Sequence, residues 1–321
     1  MSEEGYVHHT VLRDEAIRVL DPHTSGIYID GTLGGGGHTQ ALLDACAPHG
    51  RVIAFDQDLQ ALRNAEQWRS PYGERLILVH DNFRMMDQHV QRLGLPGVHG
   101  ILCDLGVSSP QLDDAWRGFS YQHDAPLDMR MDHRQSVTAK ELVNIRSERE
   151  LADFFFQYGE ERWGKRIAQF IVAARSKSPI ETTEELVAII KAAIPASARK
   201  DGPHPAKRVF QALRIAVNEE MAALSELLVK VPKLLLGQGR VAFITFHSLE
   251  DRLVKKAFAD YAKDCICPPD FPTCVCKHRA TMRVITRKPI IPTEEEIEVN
   301  SRARSAKLRA AERLPREEGE N

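Results

Sequence analysis

Residues 27–39 read Ile-Tyr-Ile-Asp-Gly-Thr-Leu-Gly-Gly-Gly-Gly-His-Thr, and the fold follows from them. A short apolar run, Ile27 to Ile29, ends in the acid Asp30. Four consecutive glycines, Gly34 to Gly37, follow, and a helical apolar pattern (Ala41, Leu42, Leu43, Ala45) begins directly afterwards. Strand, glycine turn and helix in that order bring backbone close to a nucleotide-like ligand at the carboxyl edge of an α/β sheet. Glycine is needed because only a residue without Cβ takes positive φ freely and lets a ligand touch the main chain.

The first hundred residues repeat the alternation. Strand-like runs are expected at 27–29, 51–55, 76–79 and 100–103, with helices near 38–47, 58–69 and 86–93. This spacing argues for parallel strands joined by right-handed crossovers. The pattern resumes at 240–246 after an apparent turn, Gly237-Gln238-Gly239, and continues with a helix from about 249 to 261. Further strands are expected at 283–286 and 305–310. Between the halves, Thr138-Ala-Lys-Glu141, Ser147-Glu-Arg-Glu150 and Thr182-Thr-Glu-Glu185 have capping-box form and precede apolar residues at helical spacing. The expected architecture is therefore a discontinuous α/β domain, 1–109 and 214–321, carrying a helical insertion at 110–213. The tail after Leu314 reads as disordered.

Two cofactor classes use such a turn. A dinucleotide site wants Gly-x-Gly-x-x-Gly, but here Thr39 stands in the third glycine's place. Asp30, Gly34 and Gly36 instead fit the Asp-x-x-x-Gly-x-Gly form of S-adenosylmethionine enzymes. That cofactor has no pyrophosphate, so a carboxylate beside the turn is tolerable and can face its ammonium. The next strand ends in Phe55-Asp56-Gln57-Asp58, where Asp56 can accept hydrogen bonds from both ribose hydroxyls and Asp58 reads as a helix cap. The third strand ends in His80-Asp81-Asn82-Phe83, a polar and an aromatic group suited to flank adenine. The fourth ends in Asp104, followed by Ser108-Ser109-Pro110-Gln111. Polar residues at four successive strand ends have the form of one ligand site.

Net charge is −2, but it is unevenly spread. Residues 1–107 carry 8 Lys/Arg against 14 Asp/Glu, residues 160–214 carry 11 against 6, and residues 277–313 carry 10 against 5. Two basic regions on an acidic body fit a polyanion bound on one face, with solvated helix faces as the plainer alternative. Arg162, Lys165 and Arg166 fall at one-turn spacing. Lys207, Arg208 and Arg214 form a second set, and Arg302 with Arg304 a third. Phe119 and Tyr121 are candidates either to stack on an extruded base or to pack the insertion. No apolar run approaches the roughly 20 residues of a membrane span, and the acidic amino terminus lacks a signal segment, so a cytoplasmic protein is expected.

Of six cysteines, Cys46 and Cys103 sit in apolar surroundings and read as core. The others form Cys265-x-Cys267 and Cys274-x-Cys276. Three readings stand for them: a zinc site, reduced thiols, or a redox disulfide. Structural zinc sites more often have two to four residues between paired ligands.

The chain resembles the RsmH (MraW) family of bacterial methyltransferases, which use S-adenosylmethionine to modify the exocyclic N4 of a decoding-centre cytosine in 16S ribosomal RNA. The segments that carry the likeness are 8–12, 28–32, 34–38, 104–113, 117–120, 126–131, 158–162, 246–252 and 302–305. The resemblance implies a Rossmann-like class I methyltransferase sheet, an RNA-facing insertion, and the small ribosomal subunit as partner. It places cofactor contacts on Gly36, Gly37, His38, Asp56, Phe83, Asp104 and Gln111. His38 and Gln111 rest on it alone; by itself His38 reads as a group at a helix start.

Methylating an amine conjugated with a ring needs acceptors on its hydrogens and in-line placement against the sulfonium methyl. Asp104 and the backbone around Ser108 and Ser109 occupy the position of an acceptor motif, without the usual Asp/Asn-Pro-Pro-aromatic form. Asp104 thus reads as either amine acceptor or cofactor ligand. His247, at the end of the fifth strand, reads as a proton acceptor or as the cap of the following helix. Two other functional classes compete: nicotinamide-dependent oxidoreduction, and a non-catalytic RNA-binding assembly factor.

Overall fold

The computed structural model describes residues 10–315 except 200, 201, 269, 270, 272 and 277. The acidic amino terminus, His8, His9 and most of the tail expected to be disordered lie outside the described residues. In chain order, α1 (Arg13–Leu20), β1 (Ile27–Asp30), α2 (Gly37–Ala45), β2 (Arg51–Asp56), α3 (Leu59–Trp68), β3 (Leu76–His80), α4 (Met86–Arg92) and β4 (Val98–Asp104) form the first half. Then come α5 (Ser109–Asp113), α6 (Ala139–Ile145), α7 (Glu148–Gln157), α8 (Gly164–Arg175), α9 (Thr183–Ala193) and α10 (Lys207–Asn218). The chain closes with α11 (Glu220–Leu234), β5 (Leu235–Thr245), α12 (Ser248–Tyr261), β6 (Met282–Val284), α13 (Glu294–Val299) and β7 (Lys307–Arg313).

The strands form one sheet in the order β3-β2-β1-β4-β5-β7-β6. β1 to β5 pair in parallel, and β7 is antiparallel to both neighbours. This is the Rossmann-like class I methyltransferase arrangement. Its strands are apolar throughout because both faces are covered. Val52 and Ala54 of β2 enter one hydrophobic cluster while Ile53 and Phe55 enter the other, and Leu102 is separated from Ile101 and Cys103 in the same way. Period-two alternation thus serves two cores, and all carboxyl ends of the parallel strands meet at one edge.

Two compact units emerge: residues 1–106 with 222–321, and residues 107–221. The expected boundary between 213 and 214 falls inside α10, whose apolar periodicity runs on to Asn218, so the insertion is longer at both ends than expected. Three of its helices, α6, α7 and α9, open on the capping boxes read from sequence, at Thr138, Ser147 and Thr182. Leu142, Phe155, Ile167, Ile171, Leu186, Ile190 and Leu213 pack its own core. Phe119 lies in that core, and Tyr121 stacks on His204 with centroids 4.6 Å apart, so both pack the insertion rather than waiting for a base.

A second correction concerns β5. It begins at Leu235, paired with Val98, and the apparent turn at 237–239 is an irregularity within the strand, after which Arg240 pairs with Gly100. The extra residues bulge out and pairing resumes, a use of glycine that resembles a turn in sequence.

Candidate functional site

In the first unit the glycine turn is held from three sides. Leu33 N donates to Phe55 O at 2.8 Å, and Gly31 N to Leu102 O at 2.7 Å, tying the turn to both neighbouring strands. Asp104 N donates to Thr32 Oγ1 at 2.6 Å. Gly36 has φ +83°, and a Cβ there would lie 2.2 Å from Trp68 Cζ2, so only glycine fits. At Gly37 a Cβ would meet Thr10 Oγ1 at 1.8 Å.

Asp30 turns inward, toward the glycine turn itself. It is fully buried, its Oδ1 accepts from Thr32 N at 3.0 Å and its Oδ2 from Thr39 Oγ1 at 2.6 Å. Burial pushes its carboxyl above the usual range, opposed by the nearby His38 and the Thr39 hydroxyl. In place of the expected ammonium contact, Asp30 holds the turn, and Thr39, standing where a dinucleotide motif has its third glycine, donates its hydroxyl to that carboxylate.

Asp56 is half-buried at the end of β2. Its Oδ2 accepts from Gly34 N and its Oδ1 from Asp58 N, both at 2.8 Å. A carboxylate has about four acceptor positions, so each oxygen retains one for a hydroxyl. Burial pushes this carboxyl up to about 7, against the pull of the two backbone donors. Asp58 caps α3, accepting from Gln60 N at 3.0 Å. At the end of β3, Asn82 Nδ2 donates to Gln57 Oε1 at 2.9 Å, which ties the two strand ends together beside the half-buried Phe83.

His38 opens α2 and is buried at 4% exposure. Its Nε2 lies 3.6 Å from Asp104 Oδ2. Neither ring nitrogen of His38, nor Asp104 Oδ1, has a hydrogen-bond partner among the described residues. Buried polar groups are nearly always satisfied, so three orphaned atoms at the glycine turn fit a polar ligand. Cys103, one residue before Asp104, is fully buried, and burial pushes its thiol well up, which leaves it a core residue rather than a nucleophile. Cys46 is likewise buried.

Two candidate groups prove to be helix caps. His247 is the N-cap of α12 in a capping box with the buried Glu250. Its Nε2 is 3.1 Å from Glu250 Oε1, without hydrogen-bond alignment. In the second unit, Ser108 caps α5 and its N donates to Oε1 of the buried Gln111 at 3.0 Å; Ser109 is the first residue of that helix. The roles expected for His247 and Ser108 at the reacting centre give way to capping, and Gln111, expected as a cofactor contact, uses its Oε1 to hold Ser108 N.

The basic sets separate similarly. Arg162, Lys165, Arg166 and Gln169 are exposed and line a concave surface with Trp163 and Phe170. Arg162 precedes α8 rather than lying on it. The guanidinium of Arg162 lies 5.5 Å from the Trp163 ring centroid and that of Arg166 lies 5.4 Å from Phe170. Lys207 and Arg208 are exposed at the start of α10, with Arg208 donating to Glu160 O at 2.8 Å. Arg214 differs: it forms a two-pronged ion pair with Glu220 at 2.7 and 2.8 Å with 15% of its side chain exposed, so it is not a phosphate contact. In the first unit, Arg302 and Arg304 are exposed.

Sequence reasoning assigned no role to Thr10, Thr32, Trp68 or Glu250. Thr32 lay within the quoted motif, but Trp68 is separated from Gly36 by a strand and a helix and carries no local signal.

A model of the MraW methylase family matches residues 5–314. A relative from Brevibacillus brevis, named ribosomal RNA small subunit methyltransferase H, is 53% identical over 98% of this chain and all of its own length. A protein of that name from Heliobacterium modesticaldum is 54% identical over 96% of this chain and 98% of its own. Another, from Clostridioides difficile, is 50% identical over 96% of this chain and 99% of its own. Among the described residues, no helix is long and apolar enough to cross a membrane.

Proposed function

The chain belongs to the MraW methylase family, and on that premise we propose that it transfers a methyl group from S-adenosylmethionine to the exocyclic N4 of a cytosine in 16S ribosomal RNA, position 1402. One observation carries the cofactor assignment. A turn of Gly34 to Gly37, the half-open Asp56 carboxylate and the orphaned His38 and Asp104 atoms lie along one sheet edge. Asp56 accepts from the ribose hydroxyls, and Phe83 with Asn82 borders the adenine. Gly36 and Gly37 let the methionine portion reach the main chain. Asp104, beside His38, supplies negative charge to that cationic portion.

Bound there, the cofactor supplies a methyl group on a sulfonium, transferred by direct displacement without a covalent enzyme intermediate. The protein's part is to fix the cofactor and to hold the amine in line, which supplies effective concentration. The sulfur–methyl bond breaks as the nitrogen–methyl bond forms, positive charge passes from sulfur to nitrogen, and the nitrogen then releases a proton to solvent; no anionic intermediate forms, so no oxyanion site is required. Thr39 in place of a third glycine, hydrogen-bonded to Asp30, argues against a dinucleotide.

Target recognition is assigned to the insertion, where cations interleaved with Trp163 and Phe170 suit phosphate and base contacts in RNA. The reading extends to the small ribosomal subunit as partner and to the cytoplasm as location. Reversing charge with Arg162→Glu and Lys165→Glu together is expected to weaken binding of a small-subunit RNA fragment at least about 30-fold and to lower the salt slope by about 2. S-adenosylmethionine affinity is expected to hold. Filter binding across a salt series, with calorimetry for the cofactor, checks both; unchanged RNA affinity overturns the assignment of this surface.

A further inference from the structure

The methyl-transfer reading does not use the four cysteines between α12 and β6. Cys265, Cys267, Cys274 and Cys276 are free thiols, and their sulfurs all lie within 4.8 Å of one another. Cys274 Sγ is 3.6 Å from Cys276 Sγ, which is 3.8 Å from Cys265 Sγ. Four sulfurs placed tetrahedrally around an ion at a zinc–sulfur distance near 2.3 Å would be about 3.8 Å apart. Two of the six sulfur–sulfur distances already stand at that spacing, and the remaining four are within 4.8 Å.

The backbone around them is arranged for thiolates. Ile266 N donates to Cys276 Sγ at 3.4 Å, Cys267 N to Cys265 Sγ at 3.4 Å, and Val275 N to Cys267 Sγ at 3.5 Å. Neutral thiols are weak acceptors, whereas N–H donors aimed at sulfur stabilise the charge of a coordinating thiolate. The two Cys-x-Cys arms thus face each other and bond across the loop, with residues 268–273 between them. Pro269 and Pro272, within that connection, lie outside the described residues.

Burial does not account for this convergence. Free cysteine is among the most buried residue types, yet Cys265 and Cys274 are exposed. The intervening apolar residues Ile266, Phe271 and Val275 are 62%, 53% and 65% exposed, so among the described residues no apolar core gathers the loop. Soft thiolate donors select zinc over magnesium or calcium.

We propose that Cys265, Cys267, Cys274 and Cys276 bind one Zn²⁺ as a tetrathiolate site. Protein ligands fill all four positions and leave none for water or substrate, so the ion organises the loop before β6 and takes no part in methyl transfer. Binding forms four zinc–sulfur bonds and releases the protons of those thiols that are still protonated; no electrons are exchanged.

The full chain, purified under reducing conditions, is expected to hold about one equivalent of zinc by elemental analysis. After zinc removal, titration with cobalt(II) is expected to give thiolate-to-cobalt charge-transfer bands and the visible bands of a tetrahedral ion. Cys274→Ser, and separately Cys265→Ser with Cys276→Ser, are expected to weaken metal binding at least about tenfold while S-adenosylmethionine affinity holds, which shows that the variants fold. Less than about a tenth of an equivalent of zinc together with a cobalt spectrum lacking thiolate bands overturns the site. So does full metal binding by both variants, or finding the four cysteines paired as disulfides in the reduced preparation.

Discussion

Replacing Asp56 with asparagine is expected to weaken S-adenosylmethionine binding about 100-fold, because two cofactor hydrogen bonds to a charged acceptor depend on that carboxylate, each contributing about 1.5–3 kcal/mol. The carboxylate already serves Gly34 N and Asp58 N, one on each oxygen. Asparagine offers one oxygen, so it leaves a backbone donor facing its own NH₂ and removes an acceptor from the ribose. The pH dependence supplies a second signature. Burial raises the Asp56 carboxyl to about 7, so below that value the protonated form prevails in the cofactor-free protein. Ribose hydroxyls donate to the ionised form, and binding competes with the proton. Affinity should rise by up to about tenfold per pH unit on the acid side of 7 and level off above about 8, with proton release on binding. In Asp56→Asn that slope is expected to disappear. Calorimetry in buffers of different ionisation enthalpy measures both; a variant that binds as tightly as the parent, with the same slope, removes Asp56 from the site.

Gly36→Ala is expected to be nearly as damaging through sterics alone. The residue has φ +83°, and the new methyl would lie 2.2 Å from Trp68 Cζ2 and 2.8 Å from Trp68 Cε2. The left-handed conformation costs alanine about 1–2 kcal/mol, and forcing an extra methyl into a filled space adds about 1–3 kcal/mol. The turn escapes by shifting, which displaces the backbone that meets the cofactor. A loss of cofactor affinity of about 30-fold or more follows, with the far-ultraviolet spectrum retained. Adding Trp68→Ala removes the clash but not the φ strain, so it should restore part of the loss. Gly36→Ala binding at parental affinity would show that this turn does not contact the cofactor.

Much of this site was legible because its signals are local. The carboxyl ends of the first four strands, the glycine run, the Asp58 cap and three capping boxes depend on neighbours within a few residues, and the structure places them where the sequence does, whereas β6 and β7 shift by up to three residues from the expected 283–286 and 305–310. The corrections all depend on contacts distant in sequence, or on a choice that local residues leave open. Asp30 reads as a ligand-facing acid until Thr39 is seen to cover it. Arg214 reads as a phosphate contact until Glu220, six residues on, takes its guanidinium. The glycines at 237 and 239 mark a departure from regular strand geometry, but only the pairing of Leu235 with Val98 shows that the strand continues through it. His247 by its neighbours reads equally as base or cap, and its buried partner Glu250 decides for the cap. The family resemblance named residues without showing their burial or partners, and Gln111, buried with its Oε1 on Ser108 N, illustrates the difference.

The most direct test of the account is to incubate the protein with methyl-labelled S-adenosylmethionine and small ribosomal subunits that lack the modification, then to map the label in the ribosomal RNA by mass spectrometry. The account predicts label on the exocyclic N4 of a single cytosine in the decoding centre, abolished by Asp56→Asn. Label on a ring carbon or a ribose, or no transfer by a protein that binds the cofactor, would contradict it.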